Sequence, residues 1–243
     1  MKIARIAFAG DTLFTAVLPD GSYEALGGKR IPRDAARLLC PAAPGKIIAA
    51  GLNYHAHAAE LGWPRPEAPA FFLKPPSSLI GDGETIIMPT GVGRVDYEAE
   101  LALVIARECR NVNEAQAPEY IFGYTCANDV TARDLQAQSQ MFGRCKGYDT
   151  FCPLGPYIET NPPSPDAAIK TMVNGEVRQE GRIGEMIASP ARLVSFISSV
   201  MTLKKGDVIL TGTPSGIGPI LPGDTVSVSI DGIGTLSNPV KTR

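Results

Sequence analysis

"VDYEAELALVIA", residues 95–106, has the composition of a buried β-strand yet carries two glutamates, Glu98 and Glu100. Side chains alternate faces along a strand, so Tyr97, Ala99, Leu101 and Leu103 fall on one side and Glu98, Glu100, Ala102 and Val104 on the other. Beyond the acids both faces are apolar. Two like charges two residues apart on such a face repel each other and lose hydration, which is costly unless a cation sits between them. A strand that keeps both acids therefore predicts something positive beside them.

On either side of this stretch, short β-type runs alternate with turns rich in the chain's 25 glycines and 21 prolines. Strands are expected at 47–51, 70–73, 97–106, 121–127, 168–173, 207–211, 225–230 and 234–240. The turn "LPDGSY" between residues 13–18 and 22–26 is a hairpin signal. "KIIAAGLNYHAHAAELG" reads as a buried strand running into a short helix, with Asn53 as its cap and Gly62 as its stop. The clearest helix opens at Ser189-Pro190, a cap followed by a first-turn proline, and sets Leu193, Phe196, Ile197, Val200 and Met201 on one face. Strands dominate without regular alternation with helices. That favours a β-rich α+β architecture over a doubly wound sheet, with a small N-terminal β unit over 1–44 and the main domain over 45–243.

Composition narrows the function classes. The chain has 243 residues, 44% of them hydrophobic, and a net charge of -2 without a dense Lys/Arg cluster. Nucleic acid is thus not expected as a partner. Arg5 interrupts the opening "MKIARIAFAG", and no apolar run approaches the ~18 residues of a membrane span, so no membrane association and a cytoplasmic location are expected. Five cysteines with no CxxC pair suit neither a disulfide scaffold nor a zinc ribbon, so reduced thiols are expected.

A third acid, Asp129 in "GYTCANDVTARDLQ", follows a β-type run and precedes a helix opened by Thr131. Three carboxylates at strand positions make an all-oxygen site that suits Mg²⁺ first, Mn²⁺ or Ca²⁺ after it, better than zinc. The same spacing also fits a solvated edge strand with Asp129 serving a turn. His57 and Glu60 share a helix face three residues apart, the outline of a general-base dyad or of an ordinary surface pair. His55 points elsewhere. Lys74, Arg133 and Lys146 stand in apolar or turn-rich contexts where each could bind a substrate carboxylate or join a surface salt bridge, and Gln136 shares a helix face with Arg133. "DVILTGTPSGIGP" offers backbone N–H groups to an anion but lacks the lysine of a nucleotide loop.

The order of these segments along the chain is more specific than any one of them. "GLNYHAHAAE", "FFLKPPSSLIG", "DYEAELALVI", "GYTCANDVTARDLQ", "KGYDTFCPLGP", "VNGEVRQEG" and "ILTGTPSGIG" together resemble the fumarylacetoacetate hydrolase family over roughly residues 45–240. "TARDLQ" and "KGYDT" are similar to its short acylpyruvate-hydrolase and oxaloacetate-decarboxylase branch. The resemblance implies a mixed β-sandwich roll and a homodimer. It implies Mg²⁺ on Glu98, Glu100 and Asp129, and a water-activating dyad of His57 and Glu60 on a lid. Lys146 would help in catalysis, and Lys74, Arg133, Gln136 and Thr213 would hold the substrate or its oxyanion. The expected reaction is cleavage of a C–C bond in a 2,4-dioxo acid such as an acylpyruvate or fumarylpyruvate, with the cation stabilising the enolate that leaves. Oxaloacetate decarboxylation and 2-hydroxyhepta-2,4-diene-1,7-dioate (5-carboxymethyl-2-hydroxymuconate) isomerisation run through similar enolates. A non-catalytic metal-dependent binding protein would need the acids but not the dyad.

Overall fold

In the computed structural model, which describes residues 1–64, 67–138 and 142–243, the strand Ala99–Ile105 is buried at every position. A strand covered on both faces reads as a near-continuous apolar run, and this one does. It pairs antiparallel with Ile121–Asn128 on one side and Val208–Leu210 on the other. Outward from the first neighbour come Cys152–Glu159, Lys2–Phe8, Asp11–Val17, Tyr23–Ala25 and Arg30–Ile31, and outward from the second come Ile47–Gly51 and Ala70–Lys74. Val208–Leu210 runs parallel to Ile47–Gly51, which makes the sheet mixed. A second sheet orders Glu176–Arg182, Ala168–Val173, Thr225–Ile230, Gly234–Thr242 and Ile86–Met88.

The two sheets share a core. Leu101, Leu103 and Ile105 cluster with Ile169, Val228 and Ile230 of the second sheet and with Leu193 and Ile197 of the helix Pro190–Val200. On its other face the strand packs Ala102 and Val104 with Ile47, Ala49, Leu154 and Leu210. The result is the β-rich sandwich roll. The N-terminal strands extend the large sheet through the Lys2↔Glu159 and Ile3↔Ile158 pairs and enclose a small core of Ala4, Ile6, Tyr23, Ile31 and Tyr157. Among the described residues no helix is long and apolar enough to cross a membrane.

Four local expectations need correction. Residues 95–106 do not form one strand: Val95–Tyr97 pairs with Thr131–Ala132 and Gly218–Pro219 in a small third sheet, and Glu98 stands at the transfer point. Its N–H donates to Asn128 Oδ1 at 2.9 Å instead of to a ladder carbonyl. The helix after Asp129 begins at Arg133, because Thr131 and Ala132 are spent on pairing with Asp96 and Val95. Asn53 is not a cap: the helix His55–Glu60 starts from Tyr54 without a side-chain cap, and Asn53 instead binds Ala188 and Thr211. In Pro190–Val200 the Ser189 cap forms as expected, its Oγ accepting from Arg192 N at 3.1 Å. The buried face there is Leu193, Val194, Ile197 and Ser198, and Val200 is 52% exposed. Ser198 is drawn inward because its Oγ accepts from Val112 N and its carbonyl from Asn111 N.

Candidate active site

The sheet register assembles the carboxylates. Ala99 lies opposite Asn128 and Glu100 opposite Ala127, so the next step brings Glu98 opposite Asp129, whose N–H donates to Glu98 O at 2.9 Å. Ligand oxygens of Glu98, Glu100 and Asp129 all lie within 4.8 Å of one another, and all three residues are buried. Such a cluster must be compensated.

Compensation is uneven across the three. Lys146 Nζ donates to Glu98 Oε2 at 2.7 Å and to Asp129 Oδ2 at 2.6 Å. Lys74 Nζ donates to Asp129 Oδ1 and, at 2.8 Å, to Phe151 O. Arg133 Nη2 reaches Glu98 Oε1 at 2.5 Å while its Nε holds Asp96 at 2.9 Å. Burial works against ionisation of Glu98, but Lys146, Arg133 and His57 hold its carboxyl well below the usual range. Glu100 differs. Among the described residues it accepts one hydrogen bond, from Gly212 N–H at 2.5 Å. Burial, followed by the charges of Asp129 and Glu98, pushes its carboxyl well above the usual range. An under-compensated buried carboxyl beside two that Lys146 pairs, in an all-oxygen donor set, is the environment that a hard divalent cation fits.

The dyad comes from the short helix. His57 Nδ1 lies 2.8 Å from Glu60 Oε2. A carboxylate only accepts, so Nδ1 is the donor of this pair, and in the neutral imidazole the lone pair is on Nε2. Glu60 Oε1 accepts from Gly216 N–H at 2.9 Å, which ties the helix to the loop after Val208–Leu210. The N–H groups of that loop expected to meet an anion thus serve the protein's own carboxylates at Gly212 and Gly216. Both glycines have positive φ, +90° and +99°, and a Cβ on Gly212 would stand 2.7 Å from Asn53 Cβ. Only glycine lets the loop approach so closely.

A cavity of about 350 Å³ is lined by His57, Glu98, Glu100, Asp129, Gln136, Lys146 and Thr213. Glu60, Lys74 and Arg133, read from the sequence as site residues, stand behind this lining and bind its members. Arg133 Nη1 also donates to Gln136 Oε1, which leaves the amide NH₂ of Gln136 unspent on Arg133. His55 is exposed. Sequence reasoning missed Asp96, fully buried between Arg94 and Arg133, and the aromatic wall in which Phe142 lies 4.9 Å from Phe72 and 6.4 Å from Trp63 between ring centroids. Scattered apolar residues give no signal that they share a cavity. A buried aspartate two positions before Glu98 could have been sought on the opposite-charge count alone.

Residues 46–241 match the family described as fumarylacetoacetate (FAA) hydrolase C-terminal. The Escherichia coli 4-hydroxyphenylacetate degradation bifunctional isomerase/decarboxylase is 42% identical over 80% of this chain, which spans 46% of that protein. The crystal structure of 5-carboxymethyl-2-hydroxymuconate delta-isomerase from Mycobacterium smegmatis superposes with a TM-score of 0.93 at 46% identity, covering 100% of this chain and 99% of that one. Maleylpyruvate hydrolase from Sphingobium sp. SYK-6, in complex with manganese(II) and pyruvate, gives 0.84 at 30% identity, with the same coverage. The chain belongs to the fumarylacetoacetate hydrolase family of enzymes.

Proposed function

We propose that the chain is a divalent-metal-dependent hydrolase that cleaves a C–C bond of a 2,4-dioxo acid and releases a 2-oxo acid. The observation that carries this reading is one cavity lined both by three clustered carboxylates and by a histidine whose Nδ1 is held by a glutamate. Glu98, Glu100 and Asp129 would hold Mg²⁺ or Mn²⁺, which when bound supplies Lewis acidity toward the oxygens of a 2-oxo acid. Charge supports an anionic ligand. Asp96, Glu98, Glu100 and Asp129 are matched by Arg94, Arg133, Lys74 and Lys146, four against four. Ionised together they sum to zero, so a divalent ion leaves an excess of positive charge for a carboxylate to offset.

The residues then divide the chemistry. Water adds its oxygen to the acyl carbonyl carbon while His57 Nε2 takes its proton, and Glu60 at Nδ1 stabilises the imidazolium. The C–C bond breaks, its electron pair stays on the 2-oxo acid fragment as an enolate, and the proton on Nε2 returns to that carbon. Lys146 and Thr213 face the developing oxyanion. The aromatic wall of Trp63, Phe72 and Phe142 borders the same space and limits water.

A second reading is isomerisation or decarboxylation of a related dioic acid, and what favours it is the 42% and 46% identity to an isomerase/decarboxylase and an isomerase. The same enolate would then be reprotonated at another carbon, or formed by loss of CO₂. Purified protein with Mg²⁺ separates the readings on a panel of acylpyruvates, oxaloacetate and 2-hydroxy-dienedioates. Pyruvate released from an acylpyruvate together with the free acyl acid is the expected result. A shifted diene absorbance without chain cleavage supports the second reading, and turnover of none of them leaves a metal-dependent binding protein. A cytoplasmic homodimer remains part of this proposal, with sedimentation giving twice the mass of one chain.

A further inference from the structure

Gln179 stands out in its strand. Glu176–Arg182 is otherwise mostly exposed, with charged neighbours at Arg178 and Glu180, yet Gln179 is only 2% exposed. Its carboxamide is fully used: Oε1 accepts from Ala99 N at 3.1 Å and from Thr171 Oγ1 at 2.8 Å, and Nε2 donates to Thr213 Oγ1 and to Pro214 O, both at 2.8 Å. Two lone pairs and two N–H groups are all that a carboxamide has. Reversing the amide would set its NH₂ against the Ala99 N–H and its oxygen against the Pro214 carbonyl, so the orientation is fixed.

That orientation decides what Thr213 can do. Its Oγ1 already accepts from Gln179, no described residue accepts its proton, and its side chain lines the cavity. We propose that Gln179, although outside the cavity lining, is a positioning residue that makes Thr213 a hydrogen-bond donor toward the ligand. The group facing Thr213 is then an acceptor, a carboxylate or keto oxygen. Through Ala99 N the same amide also fixes the Thr213 loop relative to the strand that bears Glu100 and begins just after Glu98. This inference rests on the 2-oxo acid reading above.

The test is calorimetric binding of oxalate, a planar acceptor-only dianion, at saturating Mn²⁺. Wild type is compared with Thr213→Val, Thr213→Ser, Gln179→Leu and the Thr213→Val/Gln179→Leu double variant. Loss of a hydrogen bond to a charged ligand group should weaken Thr213→Val roughly ten- to a hundredfold, with Thr213→Ser within about threefold of wild type. Gln179→Leu should lose about three- to tenfold, and the double variant should bind like Thr213→Val alone. Losses that multiply would show that Gln179 acts independently of Thr213 and overturn the proposal. Should Gln179→Leu fail to fold, the threonine pair decides: equal affinities for Thr213→Val and Thr213→Ser overturn it. If wild type with Mn²⁺ does not bind oxalate, the 2-oxo acid reading falls and takes this inference with it.

Discussion

The three carboxylates and the His57–Glu60 pair face one cavity but are held in place by different means. Glu100 sits on Ala99–Ile105, Glu98 and Asp129 stand just beyond the paired ends of Ala99–Ile105 and Ile121–Asn128 so that this ladder fixes their spacing, and Lys146 locks two of them together. His57 and Glu60 sit on a six-residue helix without a side-chain cap, and the Glu60 carboxylate is held to the body of the protein by Gly216 N–H. Isolated helices of that length are marginal, so the dyad depends on its tethers, whereas the triad depends on the whole sheet. Changes to the triad should therefore act through ligand loss without moving the fold, and changes near the dyad through its position.

Metal removal is expected to have the largest effect. Chelation with EDTA followed by dialysis should abolish turnover, and Mg²⁺ or Mn²⁺ should restore it. Full activity in EDTA would break the comparison, since the carboxylates would then serve structure alone. Next comes His57→Ala, for which hydrolysis of an acylpyruvate should fall by the ~10²- to 10⁴-fold typical of a lost general base, with decarboxylation of oxaloacetate less affected. Glu60→Gln acts on the same proton, so combining it with His57→Ala should cost far less than the product of the two losses in kcat/KM. A His57→Ala enzyme within about twofold of wild type on the acylpyruvate would remove the hydrolase reading and favour the isomerase one.

Smaller effects sharpen the distinction. At Gly216 the positive φ already disfavours a side chain, and a Cβ would meet Gln179 Cα at 3.2 Å. Gly216→Ala should shift the loop, loosen Glu60 and lower kcat on the order of tenfold, as expected when a positioned proton-transfer group is displaced, while Mn²⁺ affinity stays at the wild-type value. Equal losses in kcat and metal affinity would mean that triad and dyad are not separately held. Ser189→Ala removes the cap of Pro190–Val200, a helix that contributes no residue to the cavity lining, and should lower unfolding free energy by about 1 kcal/mol in urea titration with kcat unchanged.

The same contrast explains what the sequence made legible. Ala99–Ile105 was readable because burial on both faces leaves a continuous apolar run, which Glu100 breaks, with Glu98 directly before it. The dyad was readable because i and i+3 share a helix face whatever surrounds the helix. The break at Glu98 was not, since residues 95–97 look like strand in either sheet and the choice is made by Asn128 and by partners at 131–132 and 218–219. Lys74 and Arg133 were visible as cations, but which acid each would face depends on chain separations of 55 and 35 residues. Asn53 and Gln179 join segments more than 30 residues apart through backbone atoms, and no local pattern marks a side chain for that. Period alone puts Val200 on the buried face, and Ser198 displaces it by hydrogen bonding to the loop at Asn111 and Val112.

The central claim is that a divalent cation compensates Glu98, Glu100 and Asp129. Calorimetric titration of Mn²⁺ into metal-free wild type and into Glu100→Gln tests it most directly, because Glu100 is the acid that the protein's own cations leave least compensated. One ion per chain in wild type, with affinity lowered at least roughly tenfold in a variant that melts at the wild-type temperature, is the predicted result. Equal Mn²⁺ binding by the two proteins, or none by either, would contradict it.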